Sequence, residues 1–568
     1  MLMSRGFKEF PHFHAGATVV NLIVAVFLVC FANSSFWQMI TAKLGLATVG
    51  HWAFLGVVML SLLMIFNILC SLLSFKPLHK PFLIVLICLA AIVSYFMSSY
   101  GVVIHKQMIT NLLETDVREA SEQLTWPLLR HFFLLGALPS SLLLLTKIRY
   151  HPWRREVLVR SGVILVSMVL LAVMVLVNFK EYVLFGRENR ELRMYINPTY
   201  PIYSLVKTLK KSSQNTQIKM IGADARKPAD TSKSAVIMVV GETARAEEFS
   251  LNGYTRMTNP QLSTRDVVNF TDVQSCGTDT AESLPCMFFH QGKSNYSRNE
   301  AQKYENLLDV LQRAGVQVFW RDNNSGSKGV ADRVKYERMN DVKDEALCST
   351  GECYDEILLK DLDKLFAQNK GDMLIVLHQK GSHGPSYYKR SPKDFELFLP
   401  ECTKDNVQDC DRQSIINAYD NTIVYTDYVL GKVIDLLRTQ QYATAMLYVS
   451  DHGESLGEKN IYLHGLPYAI APKQQTQVPM IFWASTSFLQ EKDLDTERLK
   501  QHSTDQFTHD NLFHSLLGLF DVRTELYRPE LDIFALSRQK APELASIHAE
   551  HVLDRMKRSS DDPATCNP

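Results

Sequence analysis

The sequence predicts two chemically different halves: an α-helical domain of five membrane spans over residues 1–179, and an α/β domain over residues 234–568, joined by a bridging helix and linker over 180–233. Three observations predict this. Apolar residues crowd the first 180 positions while charges crowd the remainder. Five apolar runs follow one another, each near the length of about 20 residues that crosses a bilayer core. Beyond the linker, strand and helix patterns alternate, as in a domain built on a mostly parallel sheet. A chain of 568 residues is long enough for more than one domain, and its 60 basic and 60 acidic residues cancel. Nothing in that balance argues for a nucleic-acid partner, so any anion binding must be local.

The five runs are Thr18–Phe36, Trp52–Leu73, Pro81–Met97, Leu128–Leu145 and Val157–Val177. The first lacks the small-residue cleavage site of a signal peptide and is followed by four more, so all five read as retained spans. Orientation follows from Lys and Arg, which favour cytoplasmic loops. Arg5 and Lys8, then Lys76 and Lys80, then Lys147, Arg149, Arg154 and Arg155 fall on one side of such a topology. Five spans then carry everything beyond Lys180 to the opposite face, which in a bacterium is the periplasm.

The cysteines address the same question independently. Cys30, Cys70 and Cys88 lie in apolar runs and read as small buried hydrophobes. In the outer half Cys276 and Cys286, Cys348 and Cys353, and Cys402 and Cys410 form close pairs, leaving Cys566 odd in the tail. Close pairs in an oxidising compartment suggest three local disulfides. None has the spacing of a zinc knuckle. Between the third and fourth runs Asn111, Thr115 and Glu119 recur at every fourth residue, one stripe of a helix. That stripe is either a solvated face or a place for a lipid head group.

In the outer half the pattern predicts strands over Ala235–Val240, Val316–Trp320, Asp372–Leu377, Ala445–Ser450 and Val478–Trp483, and helices over Leu307–Ala314, Ile415–Leu437 and Asp510–Leu519. Glu242, His378, His383, Asp451 and His452 all fall just past strand ends. In open α/β sheets, ligands bind outside the carboxyl ends of the strands. Carboxylates and imidazoles gathered there suit a tetrahedral zinc that keeps one position for a reacting oxygen, whereas calcium wants more oxygens. Each of these residues also has an ordinary role open to it, as a turn, cap or core group.

The candidate for the reacting oxygen is Thr280, in the stretch Asn269–Met287, where two cysteines flank a run of small hydroxylated residues. Thr280, or Asp279 with Glu282 three residues on, can equally cap a short helix. As a nucleophile Thr280 needs its hydroxyl ionised, which a metal achieves where no adjacent base serves.

Five blocks in fixed order carry a family likeness: Val239 to Tyr254; Ser275-Cys-Gly-Thr-Asp-Thr280 with Pro285-Cys-Met287; Trp320 to Gly329; His378 to Pro385; and Ser450-Asp-His-Gly-Glu-Ser-Leu-Gly457 with Tyr462-Leu-His-Gly465. With the five apolar runs, the chain resembles the phosphoethanolamine transferases of Gram-negative bacteria, especially the lipid A enzymes and the mobile colistin-resistance enzymes. The resemblance implies an outer domain of the alkaline phosphatase and sulfatase type. It implies Glu242, Thr280, Asp451 and His452 as zinc ligands, with Thr280 the nucleophile, and His383 and His464 near the substrate phosphate or a second zinc. It implies Ser325 and Lys328 as substrate-binding residues and turns Asn111, Thr115 and Glu119 into lipid-head-group residues. Some relatives carry a further cysteine pair where this chain has Ser327 and Ala331, and Asp279 and Glu282 also depart from the family's forms.

The activity so implied is zinc-dependent transfer of phosphoethanolamine from phosphatidylethanolamine to a lipid A phosphate, through a covalent intermediate on Thr280. It would be carried out by a multi-pass, monomeric protein of the bacterial inner membrane with its catalytic domain in the periplasm. Masking that charge would confer resistance to polymyxin and other cationic peptides. The alternative keeps the chemistry and changes the acceptor to Kdo or a core sugar, a periplasmic glucan or a protein.

Overall fold

A computed structural model describes residues 13–114, 117–209, 218–228, 233–348, 352–369, 371–404 and 407–538. Arg5, Lys8, Thr115, the Glu119 side chain, much of the Lys-rich linker and Cys566 lie outside the described residues. The chain divides into two compact units, residues 1–109 with 120–213, and residues 110–119 with 214–568.

Among the described residues of the first unit, four helices are long and apolar enough to cross a membrane: Val49–Leu72, His79–Tyr100, Trp126–Leu145 and Trp153–Val177. The first expected span is not one straight helix. Ala17–Phe31 and Ser34–Leu44 meet at a 56° bend, and the pair makes a fifth crossing only if counted as one broken span. The cause is Asn33. Its amide nitrogen donates to the carbonyls of Leu28 at 2.8 Å and Asn197 at 2.7 Å, while its oxygen accepts the Asn197 N–H at 2.8 Å. Asn197 in turn donates to the carbonyls of Ala32 and Ala90. The two amides therefore satisfy backbone groups that a broken helix would leave bare in an apolar setting. Trp126–Leu145 absorbs Pro139 differently, with a π-helical turn over Phe133–Ala137 just before it. The segment expected to be a bridge begins as the helix Phe179–Glu188, whose Tyr182 hydroxyl lies 2.8 Å from Ser61 Oγ, so it packs with the membrane helices.

The second unit is built on a seven-stranded sheet. Its strands are β1 (Ser234–Gly241), β2 (Val268–Phe270), β3 (Gln317–Asp322), β4 (Lys335–Arg338), β5 (Met373–His378), β6 (Ala443–Ser450) and β7 (Met480–Ala484). They lie in the order β2-β7-β6-β1-β5-β3-β4, with only β7 running against the rest. Every residue of β1, β5 and β6 is buried, so their unbroken apolar runs are those of a sheet covered on both faces. Val236, Met238 and Val240 alternate onto one face and join a core with Leu284, Leu308 and Leu516; the helix Arg412–Arg438 presents nineteen buried residues of its own.

The expected strands and helices are present, with no end moved by more than three residues. The edge strands β2 and β4 carry no readable signal, being three and four residues long and, in β4, exposed at every residue. The register is what matters for function. Val240 pairs with His378, Gly241 with Ser450, and Asp322 with His378, so β1, β3, β5 and β6 end side by side.

Candidate metal centre and nucleophile

Glu242 leaves the end of β1 on a tight turn. Thr243 has φ +52°, and its carbonyl accepts from the buried Tyr419 hydroxyl at 2.6 Å, which itself accepts the Arg245 N–H. From the other side Gly381, at φ +54°, passes directly over Glu242; a Cβ there would meet the Glu242 carbonyl oxygen at 2.6 Å. Only glycine fits that crossing.

Thr280 opens the helix Thr280–Met287 and does not cap it. The cap is Asp279, whose carboxylate accepts the Glu282 N–H at 3.0 Å. Capping in this stretch is therefore done by Asp279, and the Thr280 hydroxyl takes no part in it. It lies 3.1 and 3.0 Å from the two Glu242 carboxylate oxygens and 3.3 Å from His452 Nε2. The loop before it is held by the Cys276–Cys286 disulfide, by Thr278 Oγ1 donating to the Leu466 carbonyl, and by Ser283 Oγ donating to the Asp451 carbonyl. The other two close cysteine pairs, Cys348–Cys353 and Cys402–Cys410, are also disulfides. Ser327 Oγ accepts the Ala331 N–H at 3.1 Å, a hydrogen bond between the positions where some relatives carry cysteines.

Asp451 and His452 follow β6. One carboxylate oxygen of Asp451 accepts the Thr243 and His452 N–H groups; the other, Oδ2, is buried and meets no hydrogen-bond donor among the described residues. His452 Nδ1 sits 2.9 Å from the Gly453 carbonyl, which assigns the proton to Nδ1 and leaves Nε2 as a lone pair. Ligand atoms of Glu242, Asp451 and His452 converge within 4.8 Å, and all three residues are fully buried. Two buried carboxylates and an imidazole facing one another favour a cation between them. Their mutual influence shows in their titration. Burial lowers the His452 pKa, but Asp451 and Glu242 outweigh it and push it up to about 10. Burial raises Glu242, and His452 overcomes that to hold it below the usual carboxylate range. Burial, then Glu242, raises Asp451. Carboxylate oxygens and an imidazole nitrogen, with a hydroxyl beside them, are donor types that a tetrahedral zinc site uses.

Of the strand-end residues, His378 does not join this group. It is the last residue of β5, and its Nδ1 donates to Asp322 Oδ2 at 2.9 Å. Burial lowers its pKa and Asp322 more than compensates. His383 and His464 flank the centre: the rings are 5.7 Å apart, and the His464 ring is 4.5 Å from that of His452. His464 follows the hairpin of Ser455–Glu458 and Ile461–Leu463, turned at Lys459 and Asn460, both at positive φ. Its Nδ1 is 3.2 Å from Glu454 Oε2. Lys328 Nζ donates to Ser325 Oγ at 2.9 Å, so these two expected substrate residues meet each other. Asn111 is half-buried on the helix Lys106–Glu114.

Several contributors are not apparent from sequence. Asn324 Nδ2 donates to Glu242 Oε2 at 2.6 Å and to the Gln379 carbonyl at 2.9 Å. Arg298 donates to the Ala281 carbonyl and pairs with Glu114, each at 2.5 Å, tying the turn beside Thr280 to the segment 110–119. Asn324 lies inside the Trp320 block and Glu454 two residues past His452, so both sit in recognised motifs. Arg298 has no such mark.

Comparisons with known proteins place the chain's two units in known families. Residues 62–213 match the family Phosphoethanolamine transferase EptA/EptB, and residues 234–522 match the family Sulfatase. Phosphoethanolamine transferase EptA of Escherichia coli K12 is 39% identical over 528 residues, 91% of this chain and 96% of that one. Phosphatidylethanolamine transferase Mcr-1 of Escherichia coli is 41% identical over 520 residues, 88% of this chain and 94% of that one. The solved structure of the integral membrane protein lipooligosaccharide phosphoethanolamine transferase A from Neisseria meningitidis superposes with a TM-score of 0.90 at 34% identity, covering 93% of this chain and 100% of that one.

Proposed function

Since the chain belongs to the phosphoethanolamine transferase family, we propose that it moves phosphoethanolamine from phosphatidylethanolamine to a phosphate of lipid A through Thr280. The observation that carries this is the Thr280 hydroxyl, freed from capping and set against Glu242 and His452 at 3.0 to 3.3 Å. A zinc ion held by Glu242, Asp451, His452 and Thr280 would supply Lewis acidity toward the hydroxyl and the phosphoryl oxygens.

The chain's own residues account for the rest. Thr280 Oγ1 attacks the donor phosphorus while the bond to the diacylglycerol oxygen breaks, and its proton leaves toward Glu242. The departing oxygen takes a proton from His464 or His383, and diacylglycerol is released. In the second displacement an acceptor phosphate oxygen attacks the same phosphorus as the Thr280 Oγ1–P bond breaks; Thr280 takes its proton back from Glu242, and the proton shed by the acceptor phosphate restores the histidine. Thr280 stands at the first position of the helix Thr280–Met287, the positive end of its dipole, which favours negative charge there. Glu454 holds His464 Nδ1 and so turns Nε2 away from itself. Ser325 and Lys328 offer a hydroxyl and a cation to the substrate phosphate, and Asn111, Thr115 and Glu119 bind the head group.

In this reading the protein sits in the bacterial inner membrane with its second unit in the periplasm, where the three disulfides form. Lipid A carrying phosphoethanolamine has less negative charge, so cells gain resistance to polymyxin. Two measurements test it. With labelled donor, wild-type protein carries phosphoethanolamine on the peptide containing Thr280 and Thr280→Ala does not; labelling of the variant would overturn the nucleophile. Lipid A from expressing cells gains the mass of phosphoethanolamine; unchanged lipid A would overturn the acceptor.

A further inference from the structure

The first unit contains a cavity of about 350 Å³ that the transfer chemistry does not use. Its size falls within the range of ligand sites, roughly 300 to 1,000 Å³. Phe54, Val58, Leu62 and Ile65 line one wall from a single face of the helix Val49–Leu72, and Phe185 faces them from the helix Phe179–Glu188. The polar atoms inside are already matched: Ser61 Oγ and Tyr182 OH lie 2.8 Å apart, and Asn189 donates to the Phe185 carbonyl at 2.9 Å. A space with so few open polar partners does not order water.

Its lining also includes Arg190 and Arg193, both exposed, on the 3-10 helix Arg190–Tyr195. Residues three apart eclipse on such a helix, so the two guanidinium groups rise on one side. The acidic residue between them, Glu191, is taken by Lys43 at 3.1 Å, and neither arginine makes an ion pair among the described residues. An apolar slot ending in two unpaired guanidinium groups matches a molecule with a hydrocarbon chain and a phosphate.

We propose that this cavity holds a glycerophospholipid of the surrounding bilayer, one acyl chain between the helices Val49–Leu72 and Phe179–Glu188 and its phosphate on Arg190 and Arg193. This is a binding site apart from the Thr280 centre, and it does not rest on the reading of that centre. Gly186 supplies the sharpest handle. It lines the cavity, and a Cβ built there meets nothing within 4 Å, so a larger side chain is accommodated at the cavity wall without displacing a neighbour. Replacing a helix-interior glycine also favours the helix, which protects the fold.

The test is made on the full chain, purified in detergent and washed until loosely held lipid is gone, with bound lipid counted by native mass spectrometry and by extraction. Wild type and Thr280→Ala retain one phospholipid per chain. Gly186→Leu and the double variant Arg190→Gln/Arg193→Gln lose it, retention falling by about tenfold or more. Titration with phosphatidylethanolamine and phosphatidylglycerol restores occupancy of stripped wild type but not of either variant. Equal retention by all four proteins, absence of lipid from wild type, loss of the lipid in Thr280→Ala alone, or full competition by a chain lacking phosphate would each overturn the proposal.

Discussion

The Asn324 amide is the one side-chain donor that reaches Glu242 Oε2 at 2.6 Å from outside the cluster, while the same amide is fixed by the Gln379 carbonyl. Groups that orient a metal ligand typically contribute about 10- to 100-fold in affinity or activity. Asn324→Ala should therefore lower transfer by that order and weaken zinc binding, with Thr280 still intact. Titration with a zinc indicator beside a transfer assay checks both, and unchanged zinc affinity would remove Asn324 from the site. Gly381 makes a harder demand. Gly381→Ala must hold φ +54° and clear the Glu242 carbonyl from 2.6 Å, so Glu242 has to move. A left-handed alanine alone costs about 1–2 kcal/mol. The expected result is a folded protein of lower melting temperature that binds zinc poorly. Glu352 lies in a basic setting: burial raises its pKa, yet Arg390 and Lys380 bring it down to about 2. A carboxylate depressed by folding adds stability above its unfolded pKa of about 4.5 and loses it as pH falls toward 2. Glu352→Gln should flatten the loss of stability between about pH 5 and 2, read by thermal unfolding across that range.

At the scale of elements, what the sequence makes legible is what repeats or clusters. The buried strands β1, β5 and β6 are unbroken apolar runs closed by polar groups, and that pattern marks both the sheet and its active edge. The bend after Phe31 is not legible, because it depends on Asn33 meeting Asn197 across 164 residues. Arg298 reaches Glu114 across 184 residues and Asn324 reaches Glu242 across 82, distances over which no local pattern extends. His378 shares the strand-end position of its neighbours, and only the register, which pairs it with Asp322, turns it toward support. The helix of Thr280 yields a test of its own. Cys276 and Cys286, ten residues apart, close a loop whose chain-entropy contribution is about 3 kcal/mol. Paired replacement by serine should lower the melting temperature and cut transfer more steeply than the same replacement at Cys402 and Cys410. Equal effects on transfer would mean that the first bridge has no special bearing on Thr280.

For the whole molecule, the division into two units makes the metal a local stabiliser. Glu242, Thr280, Asp451 and His452 lie just past β1, at the start of the helix Thr280–Met287 and just past β6, all within the second unit. Without a cation, two buried carboxylates and an imidazole lone pair face one another, so removal of a bound ion leaves uncompensated charge inside that unit alone. A ligand that binds only the folded state stabilises it by mass action, about 4 kcal/mol at a thousand times its dissociation constant. Stripping zinc with a chelator should therefore lower the unfolding temperature of the second unit and leave the unfolding of the apolar helices in place. Differential scanning calorimetry of the full chain in detergent would show one transition moving and the other fixed, with zinc restoring the first. In Asp451→Asn the chelator should have much less effect, since the site has lost a charged ligand before treatment. A uniform shift of both transitions, or none in wild type, would mean that these four residues do not hold the ion on which the second unit depends.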